Sequence, residues 1–304
     1  MLRSLRERYT AIGTQLADSS IAVRSAGAYA LAALADDWLG RSGRRPVRDN
    51  RRCLGRRNRQ RARDDGRLGQ DSRGEVQACI DVLCSYLRMP YAPVNTTARD
   101  RLKTVRTITT GSEVIEEHYE YRRDDGDVRE NIRGLITKHL QKSADPSWSD
   151  CSFKLGGVFF DTVSFAGCVF NKPVHFSGAT FSGESCYFSN AVFNDSVWFD
   201  EATFSSKIVW FDHAKFLGKY TSFEHAKFAP ELRFAPEERY VDFSAAEFKS
   251  RILSFKDVSW ELPDGVDFRG VTISVGVDFA AGAKPPYVVP DVWPPPHQIV
   301  DPEP

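Results

Sequence analysis

Between Val163 and Ile273 the sequence repeats one phrase, as in Phe188-Ser-Asn-Ala-Val-Phe193 and Phe199-Asp-Glu-Ala-Thr-Phe204. Each copy places two large residues five positions apart, with a small residue between them and a modest residue two positions before the first. Nine copies occur, and their first residues are mostly 11 or 12 positions apart. The large residues form a predicted structural ladder of Phe165, Phe170, Phe176, Phe181, Phe188, Phe193, Phe199, Phe204, Phe211, Phe216, Phe223, Phe228, Phe243, Phe248, Phe255, Trp260, Phe268 and Ile273.

A spacing of five fits neither common secondary structure. Large apolar residues recur at spacings of three and four on a buried helix face, and at two on a half-buried strand. A chain that turns a corner after every five residues, and points one large and one small side chain inward per side, would produce the observed spacing. Stacked coils of this kind bury a continuous column and pair their backbones about 4.8 Å apart. The repeat therefore predicts a solenoid.

Several copies share a shorter phrase, which reads Ala179-Thr180-Phe181, Ala191-Val192-Phe193, Ala202-Thr203-Phe204 and Ala214-Lys215-Phe216. This phrase resembles the unit of the pentapeptide-repeat family, which has a central Leu or Phe with Ala or Cys two positions before it. The resemblance covers residues 151–283 and implies a right-handed quadrilateral β-helix with four units per coil. Two features depart from the family pattern. Extra residues after each pair suggest bulges at alternate corners, and the family's frequent Asp or Asn before the central residue is mostly missing.

The repeat is interrupted between Ala229 and Val241. Phe234 has no partner five residues later, and Pro230 and Pro236 lie in the same stretch. Because the rhythm is broken here, we predict a loop that projects from one corner of the solenoid. Irregular loops carry function more often than regular coils. A degenerate coil without any role is the alternative.

The composition divides the 304 residues into two domains, because all 21 Phe residues lie at or after Phe153. We predict a helical domain over residues 1–145, a pentapeptide-repeat β-helix over residues 151–283 and a proline-rich disordered tail over residues 284–304. The predicted fold class is therefore α+β with two domains. The N-terminal region would consist of HEAT-like helix pairs.

Apolar residues at spacings of three and four predict the helices of the N-terminal half. The first runs from Leu2 to Leu16, the second from a cap at Ser19 or Ser20 to Leu39 before Gly40, the third from Glu75 to Met89, and the last from a capping box of Asp127 and Glu130. The predicted inward positions are Val23, Gly27, Ala30, Leu34 and Trp38, then Val76, Ile80, Leu83 and Leu87, and finally Val128, Ile132, Leu135, Ile136 and Leu140. A hairpin is predicted from Thr104 to Tyr121.

The segment from Arg41 to Gly74 is basic and has almost no large apolar residue. It holds 13 Arg and 4 Asp, a net charge of +9. We predict a disordered insertion, because such a composition buries no core. It could bind nucleic acid or anionic lipid weakly, but basic runs without interleaved aromatic residues give only non-specific, salt-sensitive binding. The whole chain has 41 basic and 41 acidic residues, so no global field attracts nucleic acid.

No catalytic, cofactor-binding or metal site is predicted, because the sequence contains no phosphate-binding glycine loop, zinc-ligand spacing or nucleophile elbow. The candidate pairs are His213 with His225, Asp200 with Glu201, and Glu237 with Glu238. The two histidines are twelve residues apart, about half a coil, which predicts opposite sides of the stack. Adjacent carboxylates point in different directions in an extended chain, so they are interpreted as solvated charges.

The cysteines and the hydropathy indicate the compartment. Cys168 and Cys186 occupy small positions of the repeat, which predicts buried reduced thiols, and the six cysteines fit a reducing environment. No signal peptide is evident, and the longest nearly apolar run, from Ala26 to Ala35, is about half of what a bilayer needs. We expect a cytoplasmic protein, associated with a membrane only if an anchor lies upstream of Met1.

Three functions remain open. The leading hypothesis is a non-catalytic interaction or scaffold module that presents the outer surface of the solenoid to an unknown protein partner. The alternative, implied by the family resemblance, is a DNA mimic that acts on an enzyme such as gyrase. Residues 151–289 hold 17 acidic and 13 basic residues, a net charge of only −4, which disfavours that alternative. The third is an enzyme or sensor that binds a small molecule between Tyr119 or Tyr121 and the last helix.

Overall fold

The computed structural model describes residues 2–43, 57–91, 103–110, 113–120, 125–229, 240–261, 266–273, 278–280 and 288–289. Helices occupy the N-terminal half, and a parallel β-solenoid of about five turns follows. The predicted fold class is confirmed. Most of the interrupted stretch, residues 230–239, lies outside the described residues, so the predicted projecting loop stays a prediction.

The described part of the N-terminal half contains four helices. They are α1 (Leu2–Leu16), α2 (Ile21–Gly43), α3 (Arg57–Arg88) and α4 (Gly126–Leu140), and α2 contacts the other three. The second helix continues past Gly40, which was predicted to end it. A glycine in an exposed helix interior costs only about 1 kcal/mol, and helix α2 gains far more from its buried face.

The Arg-rich segment differs from the prediction. Helix α3 begins at Arg57 rather than at Glu75, so part of the predicted disordered insertion is helical. Arg and Gln are good helix formers, and they extend a helix that the buried face after Glu75 already stabilises. Residues 44–56 lie outside the described residues.

Apolar side chains at helical spacing build the core of this half. Ile12 and Leu16 of α1 are buried, whereas Val23 and Ala30 of α2 are only half-buried. A Cβ on Gly27 would stand 3.0 Å from Gln15 Cβ, so this glycine allows α1 and α2 to pack closely. The other predicted inward positions are buried, namely Leu34, Trp38, Val76, Ile80, Leu83, Leu87, Val128, Ile132, Leu135, Ile136 and Leu140.

The start of α4 corrects a second prediction. The N-cap is Asp125, its side chain makes no capping bond, and Asp127 lies within the first turn, so the predicted capping box does not form. The Asp125 carboxylate instead accepts a hydrogen bond from Tyr86 Oη at 2.5 Å and one from Arg129 Nε at 3.1 Å. Sequence patterns could not show this, because both partners come from tertiary packing.

The predicted hairpin is present. Strands β1 (Lys103–Thr110) and β2 (Glu113–Glu120) pair antiparallel, with Ile108 opposite Ile115. The hairpin is inserted between Pro90 at the end of α3 and Asp125 at the start of α4.

The solenoid strands are short. In chain order they are β3 (Phe153–Lys154), β4 (Phe159–Ser164), β5 (Val169–Phe170), β6 (Val174–His175), β7 (Thr180–Tyr187), β8 (Val192–Phe193), β9 (Val197–Trp198), β10 (Thr203–Phe204), β11 (Ile208–Trp210), β12 (Lys215–Phe216), β13 (Tyr220–Ser222), β14 (Lys227–Phe228), β15 (Tyr240–Asp242), β16 (Glu247–Phe248), β17 (Ile252–Ser254), β18 (Ser259–Trp260), β19 (Val266–Asp267), β20 (Thr272–Ile273), β21 (Asp278–Ala280) and β22 (Val288–Val289). Strand β22 pairs with β19, so a solenoid strand lies within the predicted disordered tail.

Parallel pairing arranges these strands in four faces. One face joins β4, β7, β10, β14 and β18, and the next joins the far ends of β4 and β7 to β11, β15, β19 and β22. The third joins β5, β8, β12, β16 and β20, and the fourth joins β3, β6, β9, β13, β17 and β21. The register shifts between Asp161 and Val163, where β4 passes from the first face to the second.

A tight turn lies between the two large residues of each copy. The N–H of the small residue donates back to the first large residue, as from Ala179 to Phe176 O at 2.9 Å and from Ala191 to Phe188 O at 3.0 Å. The residue just before the small one has a positive φ throughout, at Gly157, Gly167, Gly178, Asn190, Glu201, His213, His225, Ala245, Asp257 and Gly270. Glycine and asparagine at several of these positions are the sequence signal for a left-handed turn.

At another corner, Gly218 lies against the backbone of the preceding coil. A Cβ on Gly218 would stand 2.1 Å from the carbonyl carbon of Asp195 and 2.5 Å from the Ser196 nitrogen in the coil before it. We expect Gly218→Ala to lower the free energy of unfolding by about 2–3 kcal/mol, because the clash is with backbone that cannot rotate away.

Chemical denaturation tests this prediction, with Gly134→Ala as the control. A Cβ at Gly134, on the exposed side of α4, meets nothing within 4 Å. Alanine there is expected to raise stability by about 0.5–1 kcal/mol. A neutral or stabilising Gly218→Ala would contradict the close approach of the two coils.

The helical half packs on the first coil of the solenoid. Gln77 of α3 donates from Nε2 to Ser152 O at 2.8 Å and accepts from the Ser152 N–H on Oε1 at 2.8 Å. Asp36 of α2 accepts from Trp148 Nε1 at 2.9 Å. Gln141, at the end of α4, bridges to Cys168. These contacts satisfy backbone groups at the first coil, so the helices act as its cap.

His139 adds a titratable group to this junction. Its ring stacks on Trp148, with centroids 4.0 Å apart. Nδ1 donates to Leu135 O at 2.7 Å, and Nε2 lies 3.2 Å from Asp36 Oδ2. Burial lowers the pKa of His139, but the bonds to Asp36 and Leu135 outweigh burial and raise the pKa above its usual value.

We therefore expect His139 to stabilise the fold more at low pH than at high pH. A raised folded pKa adds stability that is complete below the unfolded pKa, about 6.5, and is lost as the pH rises through the folded value. The measurement is the difference in unfolding free energy between the natural chain and His139→Gln as a function of pH. A difference that grows with rising pH would show that the imidazole is neutral in the folded protein.

Candidate functional site

Aromatic rings fill the interior of the solenoid. Of the predicted ladder, every residue is buried except Trp260, which is half-buried. Equivalent rings of successive coils lie parallel, as for Phe204 and Phe228 with centroids 4.6 Å apart and Phe211 and Phe243 at 4.8 Å. A column packed in this way leaves its outer surface for recognition.

One outer face carries a row of aromatic side chains, which we call the ring face and define as His175, Trp198 and Tyr220. They lie on β6, β9 and β13 in successive coils. The rings of His175 and Trp198 are stacked at 4.4 Å with an interplanar angle of 5°, and Trp198 and Tyr220 follow at 6.5 Å. The His175 side chain is exposed, and the other two are half-buried.

Lysines lie at both ends of the ring face. Lys154, one coil before His175, pairs with Asp81 of α3 at 3.4 Å. Lys219 Nζ lies 4.7 Å from the centre of the Tyr220 ring. Partial desolvation of the ring and the neighbouring Lys154 lower the pKa of His175, which favours the neutral imidazole. The face therefore combines a flat apolar row with a cation at each end.

The opposite face is less continuous. Tyr187 of β7 and Trp210 of β11 lie side by side, with ring centroids 5.1 Å apart. The next positions along the axis are Asp242 and Asp267. Of the large apolar side chains whose burial is described, Trp210 is one of the few that are exposed.

Both rows were missed by sequence reasoning, although a signal exists. His175 and Trp198 each directly precede the first Phe of a copy, as Tyr187 and Trp210 do in the alternating copies. One coil contains two copies of the repeat, so every second copy lies directly above the other in the stack. Only the structure shows this arrangement, which places these residues in rows. In the next coil Ser222 holds the position that corresponds to Trp198, and Tyr220 lies two residues before it.

A comparison with family models agrees with the four-faced coil. A model described as pentapeptide repeats, nine copies, matches residues 165–206. Residues 165–206 of the chain are pentapeptide repeats. The parallel β-solenoid extends beyond the matched residues in both directions, from Phe153 to Ile273. Comparisons with curated proteins and with solved structures found no match.

The charged candidates of the pentapeptide-repeat solenoid do not converge. The His213 N–H donates to Ser244 O, and the His225 N–H donates to Lys256 O, so the histidines occupy two separate rows of turns. Asp200 accepts a hydrogen bond from Ser222 and one from the Glu224 N–H, which indicates a structural role. Glu237 and Glu238 lie outside the described residues.

The cysteines of the described residues are free and buried. Burial raises the pKa of the Cys79, Cys151 and Cys168 thiols to about 12, and the Cys186 thiol is likewise shifted upwards. These thiols are therefore neutral and poorly reactive. Cys53 lies outside the described residues.

The described residues contain neither a cluster of metal ligands nor a helix that could cross a membrane. Among them, no three His, Cys, Asp or Glu side chains are grouped so that they could hold a metal ion. Within the same ranges, none of the helices has the length and apolar character needed to cross a bilayer.

A second group of polar residues lies in the helical half. Arg24, Tyr86, Asp125 and Arg129 are all nearly inaccessible and join α2, α3 and α4. The sequence analysis did not predict this group, because its members are far apart in the chain. Arg24 lies on a helix whose buried face was predicted from small and apolar residues only.

Proposed function

We propose that this protein is a non-catalytic interaction module whose recognition surface is the ring face. The observation that carries the proposal is the row of His175, Trp198 and Tyr220 on the outside of a solenoid whose inside is filled. Tryptophan and tyrosine dominate the binding energy of protein interfaces, because they bury a large area and lose few rotamers. The row and Lys154 span three coil steps, about 14 Å.

The rigidity of the solenoid supports this role. Each coil is held to the next by parallel backbone pairing, as between β9 and β13. Binding therefore orders few additional residues, and less of the contact energy is lost to entropy. Lys154 already pairs with Asp81, so Lys219 at the other end of the row favours a partner with apolar side chains next to an acidic residue.

Two tryptophans on opposite faces provide a matched test. The chain and its Trp198→Thr and Trp210→Thr variants would be used for affinity capture at low and raised salt. Each recovered protein is then titrated by calorimetry against the purified variants. We expect Trp198→Thr to weaken binding at least about tenfold, as for a central interface residue, and Trp210→Thr to change it little.

A larger loss of affinity for Trp210→Thr than for Trp198→Thr, or equal losses of affinity for the two variants, would reject the ring face as the binding surface. Recovery of nucleic acid alone, lost at raised salt, would reject a protein partner.

The DNA-mimic alternative lacks a supporting observation. On the third face of the described solenoid, Glu247 lies between Lys215 at 3.3 Å and Lys249 at 2.5 Å. Such pairing neutralises the acidic charge that a mimic of the phosphate backbone needs.

A further inference from the structure

The two ends of the ring face carry different charged groups. At the end nearest the helices, Asp81 of α3 and Lys154 of β3 form an ion pair at 3.4 Å, and their side chains are 36% and 55% exposed. At the other end lies Lys219, which is exposed. Within the described residues no ion pair involves Lys219, whose Nζ lies over the Tyr220 ring. One end therefore presents an accessible carboxylate, and the other presents a lysine.

Asp81 has the capacity to accept a second lysine. Its Oδ2 faces Lys154, and its Oδ1 accepts a hydrogen bond from Gln77 Nε2 at 3.1 Å. An ionised carboxylate has about four acceptor sites, so these two contacts leave others open. The pair with Lys154 joins two solvent-accessible side chains and contributes little free energy, so a second lysine can share the carboxylate.

The side chains between these ends complement their own order in reverse. From the helical end, successive coils present Lys154, His175, Trp198 and Tyr220. A second copy turned end for end would place its Tyr220 ring opposite Lys154, and aromatic rings attract cations. The same rotation would place its Trp198 opposite His175.

This arrangement has two-fold symmetry. An axis that passes between His175 and Trp198, perpendicular to the solenoid, makes every contact occur twice, as in most dimers of soluble proteins. It brings Lys219 of each copy to Asp81 of the other. Two copies lying parallel would instead set Lys219 against Lys219, and such like-charge contacts are unfavourable.

We propose that the ring face binds a second copy of this chain in the antiparallel orientation. The proposal rests on the function proposed above and names its partner. His175 and Trp198 of the two copies pack at the centre of the interface, and Lys219 of each copy pairs with Asp81 of the other. Aromatic residues at the centre and charged residues at the rim are the usual composition of protein interfaces.

The dimer is expected to be weak. Its aromatic centre is short, at about 14 Å along the axis, whereas a standard interface buries about 800 Å² on each partner. We therefore expect a dissociation constant of roughly 1–100 µM. Sedimentation equilibrium of the whole chain at about 1–300 µM covers this range and should show the mass rise from one copy to two.

Charge reversal tests the contact between Lys219 and Asp81. Lys219→Glu and Asp81→Lys should each weaken dimerisation at least about tenfold, because the two-fold axis makes each repulsion occur twice. The double variant restores opposite charges and should dimerise within about threefold of the natural chain. The control Lys215→Glu reverses an exposed charge on the third face and should leave dimerisation unchanged.

The two tryptophan variants test the centre of the interface. Trp198→Thr should weaken dimerisation at least about tenfold, whereas Trp210→Thr, on the opposite face, should change it little. Circular dichroism of each variant would show that the helices and the solenoid are still folded.

Each other result overturns the proposal. A chain that stays monomeric up to about 300 µM would do so, as would a dimer that withstands Trp198→Thr or a double charge variant that stays monomeric. If the chain is monomeric but captures another protein through Trp198, the ring face is a recognition surface whose partner is not a second copy. Binding and dimerisation that depend on Trp210 instead would overturn both proposals.

Discussion

Replacing Phe199 with alanine is expected to lower the free energy of unfolding by about 3–5 kcal/mol. The ring is fully buried between Phe176 and Phe223, with stacked centroids at 5.0 and 4.8 Å. It also makes edge contacts with Phe188 and Phe211 at 5.4 and 5.6 Å. Since neighbours on all sides are held by backbone pairing, the coil cannot collapse into the space, and a cavity remains. Chemical denaturation measures the loss.

Two controls lie on the outside of the same solenoid. Lys215→Ala removes an exposed pair with Glu247 and should change stability by less than about 1 kcal/mol. Trp210→Ala removes a larger ring, but one that is 36% exposed, and should cost clearly less than Phe199→Ala. Equal losses for Phe199→Ala and Lys215→Ala would contradict the stacked coil.

Replacing Asp125 with alanine, in the helical half, is expected to lower the free energy of unfolding by about 3–5 kcal/mol. The change leaves Arg24 and Arg129 buried without the carboxylate that they share. It also removes the acceptor for Tyr86 Oη. Thermal and chemical denaturation of the variant would measure the loss.

The matched control is two residues away. Asp127 is exposed in the first turn of α4, where a negative charge interacts favourably with the helix dipole. Asp127→Ala should therefore cost only about 0.3–1 kcal/mol. Equal losses at the two positions would mean that Asp125 does not stabilise the buried group.

The candidate sites could be predicted from the sequence less well than the fold. The spacing of the Phe residues predicts which side chains point inward, because only one repeat period fits them. It does not show which outward residues become neighbours. His175 and Trp198 are 23 positions apart, and they stack only because one coil separates them.

In the helical half, too, the sequence predicts the buried apolar faces but not the polar contacts between helices. The inward faces of α3 and α4 follow from apolar spacing, since burial of an amphipathic face needs only a local period. The buried group of Arg24, Tyr86, Asp125 and Arg129 does not follow. Its charges can be buried only because hydrogen-bond and ion-pair partners from three helices surround them. Local sequence patterns do not show which distant residues become these partners.

Sequence patterns were enough to predict the solenoid, its ladder of buried rings and the helical character of the first half. These features depend on short-range periodicity, which each segment carries within itself. Only folding of the whole chain produces the cap at Asp125 and the ring face. Each of those depends on which distant segments become neighbours, so the contacts that create them exist only in the folded chain.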